Sequence, residues 1–474
     1  MSEPRNLPTR CDVLVLGAGI AGHCAALAAA EAGADVLLLE KAAQPGGSSA
    51  MAGGIFLFTG TDLQKAAGEA DSLQALRQDL LEAGGHRNNP ELVDLFVQNQ
   101  LATYEFLRDR GVKFQLAPSK SPAPARSHHT GTGRSTAALH EAALRNPRIR
   151  FFASAAGLRL CRSPETGRVD GAVVAFDGRE IRIDAARAVL LASGGFSRSI
   201  KLLQAYAPEL VDAVKHGGVA NTGDGLIMAT ALGAGHADLG YVSGSFGGAI
   251  RNYPNVVRDD DEIPPLLFAF NSGAIIVNRN GVRFANEAQS YKVLSGICMT
   301  QPDGLGFQIF DEKVMNGSLA GTSVNNFKEA LADGYIKAAG SIGELAKSMG
   351  LDSTALETTI ERYNKDAVSG LDSQFGRKAA SGTLMPIDTP PYCIAATGNV
   401  ITSTYGGLTA NVDMAVLDLF GEPIAGLFAA GELVGGFHGA SYLSASALPK
   451  AAISGLRAGK SAAIFGTKPA MSNA

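Results

Sequence analysis

Basic residues never gather in this chain, cysteine is sparse, and no apolar run is long. With a formal net charge of -4, no basic field exists to collect phosphates, which argues against a general nucleic-acid or membrane-surface role. The apolar stretches are strand-length or broken by glycine and charge, short of the roughly 18 residues that mark a membrane helix. The polar start MSEPRNLPTR does not resemble a secretion signal. Five cysteines, Cys11, Cys24, Cys161, Cys298 and Cys393, show no CxxC, haem or cluster spacing, as expected of reduced, mostly buried thiols in a cytoplasm. With 46% hydrophobic and 18% charged residues, the chain has the material for a large core and for two or three domains.

What is abundant is glycine at turns beside strands. Residues 12–40, DVLVLGAGIAGHCAALAAAEAGADVLLLE, read as a buried strand, a glycine turn, an Ala-rich helix and a second buried strand closing on an acid. Gly17 permits the tight turn, Gly19 admits a pyrophosphate, and Gly22 lets helix and strand pack closely; the helix N-terminus offers unpaired N–H groups to the anion. Glu40 is placed to hold ribose hydroxyls. No second such turn appears, so no dedicated NAD(P)H domain is expected.

The chain then departs from this unit and returns to it. A helical stretch, ELVDLFVQNQLATYEFLRDRG, precedes a Pro/Ser-rich loop at 117–125 and the strand-like FFASAAGLRLC, RVDGAVVAF, EIRIDAA and RAVLLASGGF. From about residue 240 the pattern shifts to mixed elements, including the helical SIGELAKSMG and ALETTIERYNKDAV. A glycine-rich loop and a small-residue helix follow, with Pro449 suited to its first turn.

In their joint order, GAGIAG with Glu40, GGSSAMAGG from Gly46, GTGRSTAALHEAA, RAVLLASGGFS, NTGDG from Asn221, GVRFANE from Gly281, ERYNKD with FGR, and AAGE from Ala429 resemble the flavoprotein superfamily of fumarate reductases, succinate dehydrogenase flavoprotein subunits and 3-ketosteroid dehydrogenases. The resemblance spans nearly the whole chain. It implies an α/β fold, a Rossmann-like FAD-binding domain with an inserted α+β capping domain, divided as 1–238 and 389–474 around a cap at 239–388. It also implies bound FAD: Gly17, Gly19 and Gly22 at the pyrophosphate, Glu40 at the adenosine ribose, Ser48, Ser49, Gly53 and Gly54 at the pyrophosphate and ring side, and Asp224 and Glu432 at the ribityl chain. Lys41, Gly47, Ala156, Gly194, Ser446 and Leu448 complete the implied cofactor set. Members with covalent FAD carry a histidine in the loop written here GGSSAMAGG; none is present, so dissociable FAD is expected.

The family divides by what faces the flavin. Fumarate reductases resemble one another in an arginine after RFxNE and another in HGANR; this chain has Tyr291 and Tyr442 there. Always-charged forks suited to a dicarboxylate are thereby lost. Ketosteroid dehydrogenases instead carry NExxxY, with the tyrosine as base, and a C-terminal tyrosine four residues before a backbone amide. The resemblance thus implies Tyr291 as base, with Tyr442 and the Ser446 amide polarising the ketone of a cyclic substrate during desaturation. His438 stands where the reductases use a substrate-binding histidine, or packs in its glycine-rich loop. Arg126, His128 and His129 suggest a metal at first sight, but adjacent histidines point apart on a strand, so no metal is expected and their role stays open. The alternatives are an ene-reductase acting on an unsaturated acid or enone, and a flavin-carrying subunit. The expected partner is a cyclic ketone or ketoacid, with the electron acceptor unassigned.

Overall fold

The computed structural model describes residues 6–118, 124–256, 262–322, 324–378 and 383–466. The Pro/Ser-rich loop at 117–125 thus lies partly outside the described residues. The chain divides into two compact units: residues 1–207, 217–242 and 403–474 form one, and residues 208–216 and 243–402 the other.

The first unit is built on a parallel sheet. Strand β1 (Arg10–Leu16) is apolar and buried from Val13 to Leu16, and it pairs in parallel with β2 (Val36–Leu39) on one side and with Arg179–Leu191 on the other. Burial on both faces explains the unbroken apolar runs, since a sheet covered on both sides has no polar face to show. Ile149–Phe152 extends the sheet beyond β2, and Pro423–Ala429 joins it beyond Arg179–Leu191 in parallel register. A hairpin, Ala156–Arg162 and Val169–Phe176, pairs antiparallel with the first half of Arg179–Leu191. EIRIDAA and RAVLL, two segments by sequence pattern, are one strand because its two halves serve different neighbours: the hairpin first, then β1.

Helix α1 (Ile20–Glu31) follows the glycine turn and packs on helix Ala447–Ile464. A Cβ at Gly455 or Gly459 would overlap the Ala21 or Ala25 carbonyl. The small-residue faces let the two backbones touch. Pro449 falls in the first helical turn, where its missing N–H costs nothing.

The second unit centres on the long strand Tyr392–Thr404, which pairs antiparallel with Leu305–Phe310 and Ile336–Ala339. Ile275, Phe307, Ile309 and Ile394 meet Leu356, Ile360 and Tyr363 of helix Ser353–Ser369 in its core. That helix is capped by Asp352, whose carboxylate accepts from Ala355 N at 3.0 Å. By contact the chain re-enters the first unit at residue 403, because Tyr392–Thr404 pairs within the second unit along most of its length.

The five cysteines are unpaired, and all but Cys161 are buried. Among the described residues no helix is long and apolar enough to cross a membrane.

Candidate active site

β1 runs into Gly17, whose φ of +111° is open to glycine and costly for a residue with a side chain. The Gly17 amide donates to Leu39 O at 2.8 Å, tying the turn to β2. A Cβ at Gly22 would overlap the Gly17 carbonyl. At the end of β2, Glu40 is buried and accepts from Ala18 N at 2.9 Å and Ala42 N at 2.8 Å. Gly17, Gly19, Gly22 and Glu40 are therefore brought together as one piece, with the acid bonded to the loop that precedes the helix.

The GGSSAMAGG segment closes over this turn. Gly47, Ser48 and Ser49 lie on the short helix Gly47–Met51. Ser49 Oγ accepts from Ile20 N at 3.3 Å, and Ser48 Oγ accepts from Gly218 N at 2.9 Å and Asn221 Nδ2 at 3.1 Å. Gly54 carries a φ of +69° and accepts from Thr130 N at 2.8 Å, whereas a Cβ at Gly53 would meet nothing within 4 Å. Ala156 opens its strand beside Ala155, whose amide donates to Glu40 O at 2.8 Å. Gly194, at φ +76°, lies against Asn221.

Asp224 and Glu432 differ in setting. Asp224, opening helix Asp224–Thr230, is partly exposed and is held by Lys41 Nζ at 2.8 Å and Thr222 Oγ1 at 2.8 Å. Glu432 accepts from Thr404 N at 2.8 Å and Asn221 Nδ2 at 3.3 Å. Burial holds its carboxyl above the usual carboxylate range, against the downward pull of those two donors. Asn221 is the residue that sequence reasoning passes over: it joins Ser48 to Glu432, and its signal is its place at the head of NTGDG. Backbone donors without side chains, an anchored acid and a small-residue cradle fit the pyrophosphate and ribose of a dinucleotide.

Arg126 and His128, left open by the sequence, stitch this region from behind. Arg126 is buried and grips Asp71 through Nε at 2.6 Å and Nη2 at 2.7 Å, with a further bond to Asp79. His128 bonds Thr61 Oγ1 and Arg126 O, both at 2.9 Å, and burial lowers its pKa. The strand of His128, Ser127–His129, which follows Arg126, pairs with Ile55–Leu57, directly after Gly54.

In the same unit, Tyr442 is half-buried against His438 and Tyr405, with ring centroids 5.8 and 5.6 Å away; His438 also meets Tyr405 at 5.5 Å. Tyr405 has no motif to announce it. The Ser446 amide donates to Leu443 O at 3.1 Å, and its hydroxyl to the same oxygen at 2.6 Å. In this structure the amide expected to serve as a donor for substrate is bonded within its own turn. Leu448 is buried in the first turn of the following helix.

In the second unit, Tyr291 begins helix Tyr291–Met299, capped by Ser290, and stacks on Phe268 with centroids 5.6 Å apart. Burial brings the amine of its neighbour Lys292 down to about 8. The GVRFANE motif just before it is structural. Arg283 bonds Glu287 at 2.7 and 2.9 Å and Asp372 at 3.0 Å through two nitrogens, all fully buried.

The sequence profile of the FAD binding domain matches residues 12–448. The chain is 30% identical to an NADH:fumarate oxidoreductase of Klebsiella pneumoniae, over 96% of its own length and 48% of that protein, so it spans about half of that relative. It is 31% identical to a urocanate reductase of Eggerthella lenta (97% of this chain, 76% of the relative). A 4-oxocyclohexanecarboxylate 2-dehydrogenase of Sinomonas cyclohexanicum is 28% identical (92% and 90%). Among solved structures, a flavocytochrome c3 fumarate reductase in its open conformation superposes with a TM-score of 0.85 at 29% identity (96% and 78%). A 3-ketosteroid-Δ4-(5α)-dehydrogenase from Rhodococcus jostii superposes at 0.72 with 30% identity (98% and 98%).

Proposed function

The chain belongs to the FAD binding domain family, its cofactor is FAD, and from that premise we propose that it is a dehydrogenase placing a C=C bond beside the ketone of a cyclic substrate. The substrate is steroid-like or a smaller oxocyclohexane-type acid. One observation carries the reading: Tyr291 and Tyr442 stand where the resemblance to fumarate reductases calls for arginines. Without those guanidiniums the dicarboxylate clamp is gone, and two phenols suited to ketone chemistry take its place. The similarity to the oxocyclohexane and ketosteroid enzymes supports it.

In this reading the first unit holds FAD through Gly17, Gly19, Gly22, Glu40, Ser48, Ser49 and Glu432. Bound FAD supplies the hydride acceptor, N5. Tyr442 donates its O–H to the carbonyl oxygen, which acidifies the neighbouring C–H by stabilising the enolate, an effect of ~3–4 kcal/mol for a placed donor. His438 and Tyr405 fix the ring of Tyr442 by packing on it. Tyr291, acting as the phenolate, takes the α-proton and becomes the phenol. Ser446 stands at the N-terminus of the last helix, and in this reading its amide is the second donor to the carbonyl oxygen. A second reading, reduction of an unsaturated acid or enone with His438 gripping the acid, draws on the similarity to the fumarate and urocanate enzymes.

The test is anaerobic bleaching of the oxidised enzyme across cyclic ketones, ketoacids and saturated acids. We expect cyclic ketones or ketoacids to bleach it, with Tyr291→Phe and Tyr442→Phe each slowing the step by about 10²-fold or more. A Tyr291→Phe enzyme reduced at wild-type speed removes the base. Oxidation of reduced enzyme by fumarate-like acids, with no response to cyclic ketones, installs the second reading.

A further inference from the structure

The loop that carries His438 and Tyr442 is fastened by a stretch of chain far from it in sequence. Residues 84–89 form the turn between helices Leu73–Ala83 and Pro90–Asp109. From this turn the Asn89 amide donates to Gly436 O at 2.6 Å and Asn88 Nδ2 to Phe437 O at 2.8 Å, while the Ala440 amide donates to Gly84 O at 3.0 Å. At Gly439, where φ is +62°, a Cβ would lie 2.6 Å from the same Gly84 oxygen, so the two backbones touch. Asp238 Oδ2 adds a fourth bond, accepting from the Gly436 amide at 3.2 Å. His438 therefore sits in a segment fixed on both flanks, and the Phe437 ring before it packs on Phe96 with centroids 5.2 Å apart.

Asn88 brings a side chain to this grip, and only half of its amide is used. Nδ2 also donates to Leu80 O at 3.3 Å, whereas Oδ1 is buried and has no hydrogen-bond partner among the described residues. Both partners are carbonyls and can only accept, which decides which end of the amide faces them. A buried acceptor left empty is a cost to folding. An apolar residue of similar size would avoid that cost and would leave Phe437 O without its donor. What the asparagine accomplishes is thus the hold on residue 437.

We propose that Asn88 is a positioning residue for the reaction: it fixes the Phe437 peptide and, through it, the stretch from His438 to Tyr442, so that the Tyr442 hydroxyl meets the carbonyl oxygen of the substrate. Misplacing a reacting group by about 1 Å can cost on the order of 10²-fold in rate. The catalytic part of the proposal rests on the reading that gives Tyr442 to the ketone; the anchoring part does not.

The test variant is Asn88→Asp, which keeps the size of asparagine and removes both N–H donors. In the holoenzyme, amide hydrogen exchange should rise in peptides covering residues 436–442 and stay at the wild-type level in those covering Arg10–Leu16. Unchanged exchange at 436–442 overturns the proposal. In anaerobic stopped flow with 4-oxocyclohexanecarboxylate or a 3-ketosteroid as reductant, the limiting rate constant of flavin reduction should fall about tenfold or more, with FAD affinity within about twofold of wild type. A merely structural role would shrink the fraction of enzyme that reacts and leave that rate constant alone, and such a result overturns the proposal. Added to Tyr442→Phe, the same change should cost less than about twofold; equal losses in both backgrounds overturn the route through Tyr442. If Asn88→Asp fails to fold, Asn88→Leu, uncharged and of similar size, is held to the same outcomes. A wild-type flavin that neither ketone reduces removes the desaturase reading, and the exchange measurement then decides alone whether Asn88 anchors the loop.

Discussion

A methyl group at residue 22 has nowhere to go, because the Gly17 carbonyl fills the space a Cβ would need. Backbone atoms cannot step aside as a side-chain end can. Gly22→Ala should therefore cost about 3 kcal/mol, read as a shift of the urea midpoint of the apoprotein, and FAD binding should fall with it. Gly53 is the opposite case, with open space where its Cβ would sit. Gly53→Ala should leave apoprotein stability within about 0.5 kcal/mol while weakening FAD binding; unchanged binding in a fluorescence titration would remove Gly53 from the cofactor set. Both glycines look alike in the sequence. The glycine fingerprint was legible because its spacing is local, whereas the difference between a packed and an open position is set by residues far along the chain.

Helices were legible where the periodicity was strong. ELVDLFVQNQLATYEFLRDRG forms Pro90–Asp109, and ALETTIERYNKDAV lies within Ser353–Ser369. Motif function was less legible: GVRFANE and FGR mark the family, yet their charged residues build an internal clamp. Arg283 holds Glu287 and Asp372, and the Arg377 amide donates to Asp372 at 3.0 Å. Burial alone would raise the Asp372 carboxyl; the Arg283 bonds outweigh it and take it down to about 2. A carboxylate depressed on folding contributes stability above its unfolded pKa of ~3.9, and loses it as pH falls through the folded value. The melting temperature should accordingly hold steady near neutrality and drop between about pH 4 and pH 2. Asp372→Asn should be less stable at pH 7 and should flatten that limb; an unchanged acid limb would show that other groups control it.

At the scale of the whole molecule, the first unit is assembled from three stretches of chain, and FAD is the ligand it is built around. The loop GGSSAMAGG has no histidine, so the cofactor should be held without a covalent bond. Acid precipitation should leave the flavin colour in the supernatant, and a yellow pellet would contradict this. Ligand that binds only the folded chain stabilises it by mass action, so FAD at 100 times its dissociation constant should add about 2.7 kcal/mol to the stability of the apoprotein. The division into units was only partly legible. The chain passes between the units at 207/208, 216/217, 242/243 and 402/403, the last inside the strand Tyr392–Thr404. The composition change near residue 240 falls close to the third of these, whereas the early excursion of residues 208–216 has no compositional signal.

The sequence by itself determined the nucleotide unit, the order of the flavoprotein motifs and the presence of tyrosine at 291 and 442 in place of arginine. Each depends on residue type at short spacing, which turn geometry and helix or strand period make readable. Only the tertiary structure decided that Ser446 bonds its amide to Leu443, that Arg126 is tied to Asp71, that Asn221 joins Ser48 to Glu432, and that buried Lys450 bonds the Gly431 and Val434 carbonyls. Charge pairing and hydrogen-bond satisfaction act through space over a few ångströms. Which residues come that close is settled by strand order and helix packing, and no local pattern encodes it.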